Sequence, residues 1–233
     1  MSHCDDGSTG DWVTESFNTE CLIGGDIAIG ESTTTAQYLP SYIYYKYSLT
    51  EQIFKSSELG NANTFHSISF QCATSTANTT RTWAIYLMPT TETSVESFIN
   101  IDATAVKVFE GSVTITGDWF TIPFDTVFNY DGSSNLMLII DDNTGSYVSS
   151  YNYNPHTPGN YHSRYVYNDV TNYDPASAST YGGTAVDYRN NVIFGGECDT
   201  TTTCVAPHLA LGAISNSTIE ILHIDNKFTI FNI

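Results

Sequence analysis

Residues 118–146 read DWFTIPFDTVFNYDGSSNLMLIIDDNTGS, and this stretch decides the fold class. Phe120, Ile122 and Phe124 alternate with Trp119, Thr121 and Pro123, the period-two pattern of a strand with one face on a core. Leu136 to Ile140 form an unbroken apolar run, as expected of a strand buried on both faces. The segment therefore predicts two strands of a β-sandwich and their connection. It contains no nucleophile, no general base with a partner and no phosphate-cradling loop, so it speaks to architecture and not to chemistry.

The same alternation recurs to either side. Ile68, Phe70 and Cys72 alternate with Ser67, Ser69 and Gln71, and Trp83, Ile85 and Leu87 alternate with Ala84, Tyr86 and Met88. Val106 to Thr116 reads as a further pair of strands, and Tyr42 to Phe54 as an extended, tyrosine-rich strand region opened by Pro40. Short strands broken by Gly, Asn, Asp and Ser, with little 3.6-residue periodicity, predict an all-β fold: an antiparallel β-sandwich of jelly-roll type with little helix. Thr93 to Asn100 is the best candidate for a short helical turn. The expected organisation is an N-terminal extension over residues 1–23, a sandwich over 24–197, and a Thr-rich linker and tail over 198–233.

With 25 acidic and 7 basic side chains, the chain carries a net charge of −18. Such a surface repels nucleic acid and anionic membranes, so no nucleic-acid partner is expected. Hydrophobic residues make up 41 %, including 12 Phe and 16 Tyr, enough for one sizeable core. No stretch approaches the roughly 20 apolar residues of a membrane span, so no membrane insertion is expected. The opening MSHCDDGSTGDW has neither a basic nor an apolar signal region; for an exported protein, the signal has been removed or is not part of this sequence.

The five cysteines stand at 4, 21, 72, 198 and 204. Cys4 with Cys21, and Cys198 with Cys204, could each close a loop, which would imply an oxidising compartment. Cys72 falls on an apolar face, where a buried free thiol is favoured over a bridge. No Cys-x-x-Cys occurs and the histidines do not gather near cysteines, so no zinc site is expected.

The Asp118–Trp119 strand opening, the Pro123–Phe124 step, the YDGSSNL turn and strand (130–136) and DDNTGS (141–146) together resemble a β-sandwich module repeated in large secreted proteins of anaerobic bacteria. The resemblance covers roughly Gly24 to Glu197 and takes in SLTEQIF (48–54) and the tyrosine-rich Tyr165 to Tyr181. Such modules sit beside fibronectin-type repeats and catalytic domains, which implies an ancillary, binding or adhesive role at an extracellular or cell-surface location. CVAPHLALGAISNSTIEI (204–221) resembles the opening strands of a fibronectin type III repeat, but only LHIDNKFTIFNI follows, too little to bury a core. Residues 218–233, with Phe228, Ile230, Phe231 and Ile233, are expected to add a strand to a sheet edge of the same molecule or of a neighbour, a route to self-association.

Function is read more thinly. No Gly-x-Ser-x-Gly elbow or other catalytic motif is present, and no carboxylate pair can be singled out for glycoside hydrolysis, so no enzymatic function is expected. Tyrosines at 147, 151, 153, 161, 165, 167, 173, 181 and 188, interleaved with Asn, Pro and Gly, could form a platform that stacks on sugar faces. For the group as a whole, packing on the sheet face is the stronger reading. The ligand-binding assignment is placed on Tyr151, Tyr153 and Tyr161, which flank the turn-forming Asn154, Pro155, Pro158 and Gly159. The expected partner is a polysaccharide or glycoprotein glycan; the alternative is a structural or adhesive module that contacts protein through sheet edges. Asp141, Asp142 and Asn143 could ligate a structural calcium ion, with an Asx-type turn as the preferred alternative.

Overall fold

The computed structural model describes residues 2–3, 9–10, 24–73, 78–148, 153–197, 219–224 and 227–232. The chain divides into two units, Ile23–Asp199 and a second formed by Met1–Leu22 with Thr200–Ile233. In the second unit, β1 (Ser2–His3) pairs antiparallel with β2 (Thr9–Gly10). The first unit contains β3 (Ile27–Ile29), β4 (Tyr47–Phe54), α1 (Ser56–Leu59), β5 (Asn63–Cys72), β6 (Thr79–Thr90), β7 (Val106–Ile115), β8 (Asp118–Tyr130) and β9 (Asn135–Asp142). It continues with β10 (Pro155–His156), β11 (Ser163–Asn168), a 3-10 helix at Pro175–Thr180, β12 (Thr184–Val186), β13 (Arg189–Asn190) and β14 (Val192–Gly196). In the tail, β15 (Ile219–Ile224) pairs with β16 (Lys227–Asn232), from Ile219↔Asn232 to Ile224↔Lys227. The two tail strands thus pair with each other.

The first unit is an antiparallel β-sandwich. A six-stranded sheet, in the order β12-β11-β4-β9-β6-β7, faces a four-stranded sheet, β3-β14-β5-β8. The core between them takes Phe54, Trp83, Ile85, Leu138 and Ile140 from the first sheet, and Ile68, Phe70, Phe120, Ile122 and Phe194 from the second. Consecutive strands β8 and β9 therefore lie in different sheets. Between them Asp131 Oδ1 accepts from the backbone amides of Ser133 (2.7 Å) and Ser134 (2.8 Å), while Gly132 takes a left-handed φ of 75°. A hydrogen bond from the Ser134 hydroxyl, together with those two, holds the Asp131 carboxyl down at about 2.

The unbroken run of β9 has a specific cause. Leu136, Leu138 and Ile140 enter the sandwich core, whereas Met137 and Ile139 enter a second apolar layer with Leu49, Ile53 and Met88 on the outer face of the six-stranded sheet. Val95, Phe98 and Ala178, from the segments after β6 and β11, cover that layer. Each such side chain contributes about 1.5–3 kcal/mol by leaving water.

Two expectations are corrected. Residues 93–100 form no helix, although Val95 and Phe98 have helical spacing. Their segment finds its partners at long range: Val95 N donates to Tyr161 O (2.8 Å) and Ile99 N to the Glu51 carboxyl (3.1 Å). The helices lie instead at Ser56–Leu59 and at Pro175–Thr180, where Asp174 caps the Ala176 amide (2.9 Å) and Pro175 opens the turn. Val106–Ile115 is one strand and not a pair; Gly111 sits in the ladder opposite Trp83, and the register with β6 shifts at Ile85/Tyr86. Cys72 is a free, fully buried thiol whose pKa burial pushes up to about 12. Cys4, Cys21, Cys198 and Cys204 lie outside the described residues.

Candidate functional site

At the junction where β4 ends and β11 begins, three backbone segments converge. Lys55 follows β4 and precedes α1, its amide capped by the Glu58 carboxylate (2.9 Å). Gly159, Asn160 and Tyr161, just before β11, have φ values of 81°, 58° and 49°, three left-handed residues in succession. Glycine adopts this conformation freely and asparagine tolerably, but for a bulky ring it costs on the order of 1–3 kcal/mol. Three hydrogen bonds hold it in place. Gly159 N donates to Asp187 O (3.3 Å), Tyr161 N to Asp187 Oδ1 (3.4 Å), and Val95 N to Tyr161 O (2.8 Å).

The result is a cleft of about 720 Å³. Tyr161, 49 % exposed, is one of the residues that line it. The others are Lys55, Thr93, Ser94, Glu96, Asn160 and Asp187. The wall formed by residues 93–99 is fixed from below. Arg164 donates to Glu96 O and to Gly183 O (2.9 Å) and lies over the Phe98 ring, 5.4 Å from its centroid. Glu51, opposite Arg164 in the ladder, accepts from Ile99 N, and burial pushes its carboxyl up to about 8. His162, next to Tyr161, is fully buried; burial first, then the charges of Arg189 and Lys55, push its pKa below the usual imidazole range. A lining that joins one tyrosine to acidic, amide and hydroxyl residues suits a ligand with an apolar face and many hydroxyl donors.

The structure separates the three tyrosines singled out by sequence. Tyr161 lines the cleft. Tyr153 does not stand on a loop surface: it is fully buried in the sandwich core, bridged to Ala36 and Cys72. The turn chemistry around it is spent on pairing, with Asn154 N donating to Gln71 O (2.9 Å) and Asn191 N to Asn154 O (2.9 Å). Tyr151 lies outside the described residues.

Nor are Asp141, Asp142 and Asn143 gathered around one point. Asp142, fully buried, accepts from Arg81 Nε (2.9 Å) and Nη2 (2.8 Å), from Ser41, and from the Thr144 amide (3.1 Å) and hydroxyl. Its bond to Thr144 N is the Asx-type turn. Asp141 points to the other sheet face, as the alternation of a strand requires. There it accepts from Asn143 Nδ2 (2.8 Å), and burial, reinforced by nearby Asp142 and Asp174, pushes its carboxyl up to about 7. Asn143 Oδ1 is taken by Asn172. Among the described residues, no three His, Cys, Asp or Glu side chains are placed to hold a metal ion. Arg189, fully buried, pairs with Glu58 and donates to His156 Nε2 (3.2 Å).

Tyr147, Tyr165 and Tyr167, read in the sequence as part of a possible platform, form a ring cluster with Tyr38, Tyr42, Tyr44 and Tyr45, whose part in it was missed; of the seven, Tyr44 and Tyr147 are exposed. Tyr38 stacks on Tyr165 at 4.3 Å and 4°, Tyr45 meets Tyr167 at 4.2 Å, and Tyr44 meets Tyr147 at 6.4 Å. The signal is the cluster YLPSYIYYKY at 38–47; the strand expected from Tyr42 begins only at Tyr47. No known protein family matches the chain, and no curated protein or solved structure matches it.

Proposed function

We propose that this chain is a non-catalytic, extracellular glycan-binding module of a larger secreted or cell-surface protein, and that the cleft at Tyr161 receives the sugar. The observation that carries the reading is the run of left-handed residues at 159–161, which holds a half-exposed tyrosine among the acidic, amide and hydroxyl residues that line the cleft. Backbone strain of this kind persists where the surrounding structure holds it, and it clusters at ligand sites. The resemblance of the segments at 118–146 to modules of secreted bacterial proteins supports the location and the ancillary role.

The alternative is a structural or adhesive module that pairs through sheet edges. The edge strands β3 and β12 are only three residues long, which leaves little ladder to extend on that side. A glycan-array screen of the wild-type chain, followed by Tyr161→Ala against each hit, tests the proposal. Hits that vanish in the variant support it. An empty array from a folded, monomeric protein would remove the cleft assignment.

A further inference from the structure

We infer that the tyrosine surface around Tyr44 and Tyr147 is a second carbohydrate contact, made for an uncharged polysaccharide chain. It shares its ligand class with the reading of the Tyr161 cleft but not its residues, so each stands or falls on its own variants.

Three observations carry the inference. The first is exposure. Tyr44 and Tyr147 are 49 % and 62 % exposed, adjacent, and backed by rings that are themselves packed: Tyr44 against Tyr45 (5.8 Å), Tyr45 against Tyr167 (4.2 Å), and Tyr165 parallel to Tyr167 (6.0 Å, 12°). Contiguous exposed aromatic surface on a soluble domain marks a contact site.

The second observation is pre-organisation. Fully buried Arg81, held by Asp142, donates to Tyr45 O (2.9 Å) and to Ser146 O (2.6 Å). One buried ion pair thus grips both segments that carry the exposed rings. Val148 N to Ile43 O (3.1 Å) and Gly145 N to Lys46 O (3.0 Å) tie the segments to each other. Rings fixed before binding lose little conformational entropy on contact, and each offers a flat apolar face with a hydroxyl at its edge.

Charge is the third. The surface is made of phenol rings, with Lys46 nearby and its amide bonded to Asp169 (3.1 Å), and the chain as a whole carries −18. That charge repels an acidic polysaccharide, and it repels a second copy of the same chain equally. An uncharged chain of sugar rings meets neither penalty.

The test is adsorption of the full chain to microcrystalline cellulose, granular starch and insoluble mannan, measured as depletion isotherms with melting temperature recorded for each variant. Wild type is expected to adsorb to at least one polymer, and Tyr44→Ala with Tyr147→Ala to weaken that adsorption about tenfold or more with unchanged melting. Tyr44→Phe with Tyr147→Phe should keep most of it. Should the double Ala variant melt early, Tyr147→Ala alone decides. Wild type that adsorbs to none of the three, a double Ala variant that adsorbs like wild type, or adsorption abolished by added salt each overturns the inference. Loss in Tyr161→Ala only would leave the cleft standing and remove the second surface; loss in the Tyr44 and Tyr147 variants only would do the reverse.

Discussion

Asp141 and Asp142 are neighbours on β9, yet they occupy opposite faces of the six-stranded sheet and opposite electrostatic situations. On the inner face, Asp142 is matched by a buried arginine and further donors. On the outer face, Asp141 and Glu51 have no cation within ion-pair distance among the described residues, and burial raises their pKa values to about 7 and about 8. Residue type does not set the role of a buried carboxyl here. The face does, because it decides whether the group meets a cation or an apolar layer.

Removing the partner on the inner face should produce the largest effect. Arg81→Met leaves Asp142 buried and unpaired, and is expected to lower unfolding free energy by about 3–5 kcal/mol in denaturant titration. A loss below about 1 kcal/mol would mean that the ion pair is not the anchor of that face. Glu51→Gln should act in the opposite direction. The folded chain keeps a proton on Glu51 that the unfolded chain has lost, so this group's contribution is intact below its ordinary value of 4.5 and drains away as pH rises towards about 8. The isosteric amide removes that penalty while still accepting from Ile99 N, and is expected to stabilise by on the order of 2–4 kcal/mol at pH 8 with little change at pH 4.5. Equal effects at both pH values would contradict the assignment. Asp141→Asn should follow with the same sign.

A smaller effect sits on the acid side. His156 accepts from Arg189 Nε, while its other ring nitrogen bonds Asn191 Oδ1 (3.2 Å); burial, then the Arg189 charge, lowers its pKa. Its contribution is therefore intact above the ordinary imidazole value and is lost as pH falls below it, when a proton would be forced towards a guanidinium. Melting curves between pH 7 and 5 should show the loss in wild type and a flatter limb in His156→Gln.

The same two faces explain what was legible in the sequence. Alternation in Phe120–Phe124 and the double burial of Leu136–Ile140 are local patterns, set by the strand period and by a core on each side, and they were read correctly. The 3-10 helix was signalled by Asp174–Pro175 and overlooked. By contrast, the fate of each tyrosine depends on partners far along the chain. Tyr153 is buried because β-bridges join it to Ala36 and Cys72, and Tyr161 is exposed because Asp187 and Val95 hold its backbone in a left-handed turn. The tyrosine surface needs residues 38–45, 147 and 165–167 brought together across more than a hundred positions. Nothing periodic in the sequence announces such contacts.

Tyr153 and Tyr161 also provide the most direct test of the functional account. Isothermal titration of the best array glycan into wild type, Tyr161→Ala and Tyr153→Ala, with melting measured alongside, separates a binding ring from a packing ring. Tyr161→Ala is expected to lose about 1–3 kcal/mol of binding, roughly five- to a hundredfold in affinity, at unchanged melting temperature. Tyr153→Ala is expected to lose about 3 kcal/mol or more of stability through the cavity it opens. A Tyr161→Ala variant that binds the glycan as tightly as wild type would contradict the central claim.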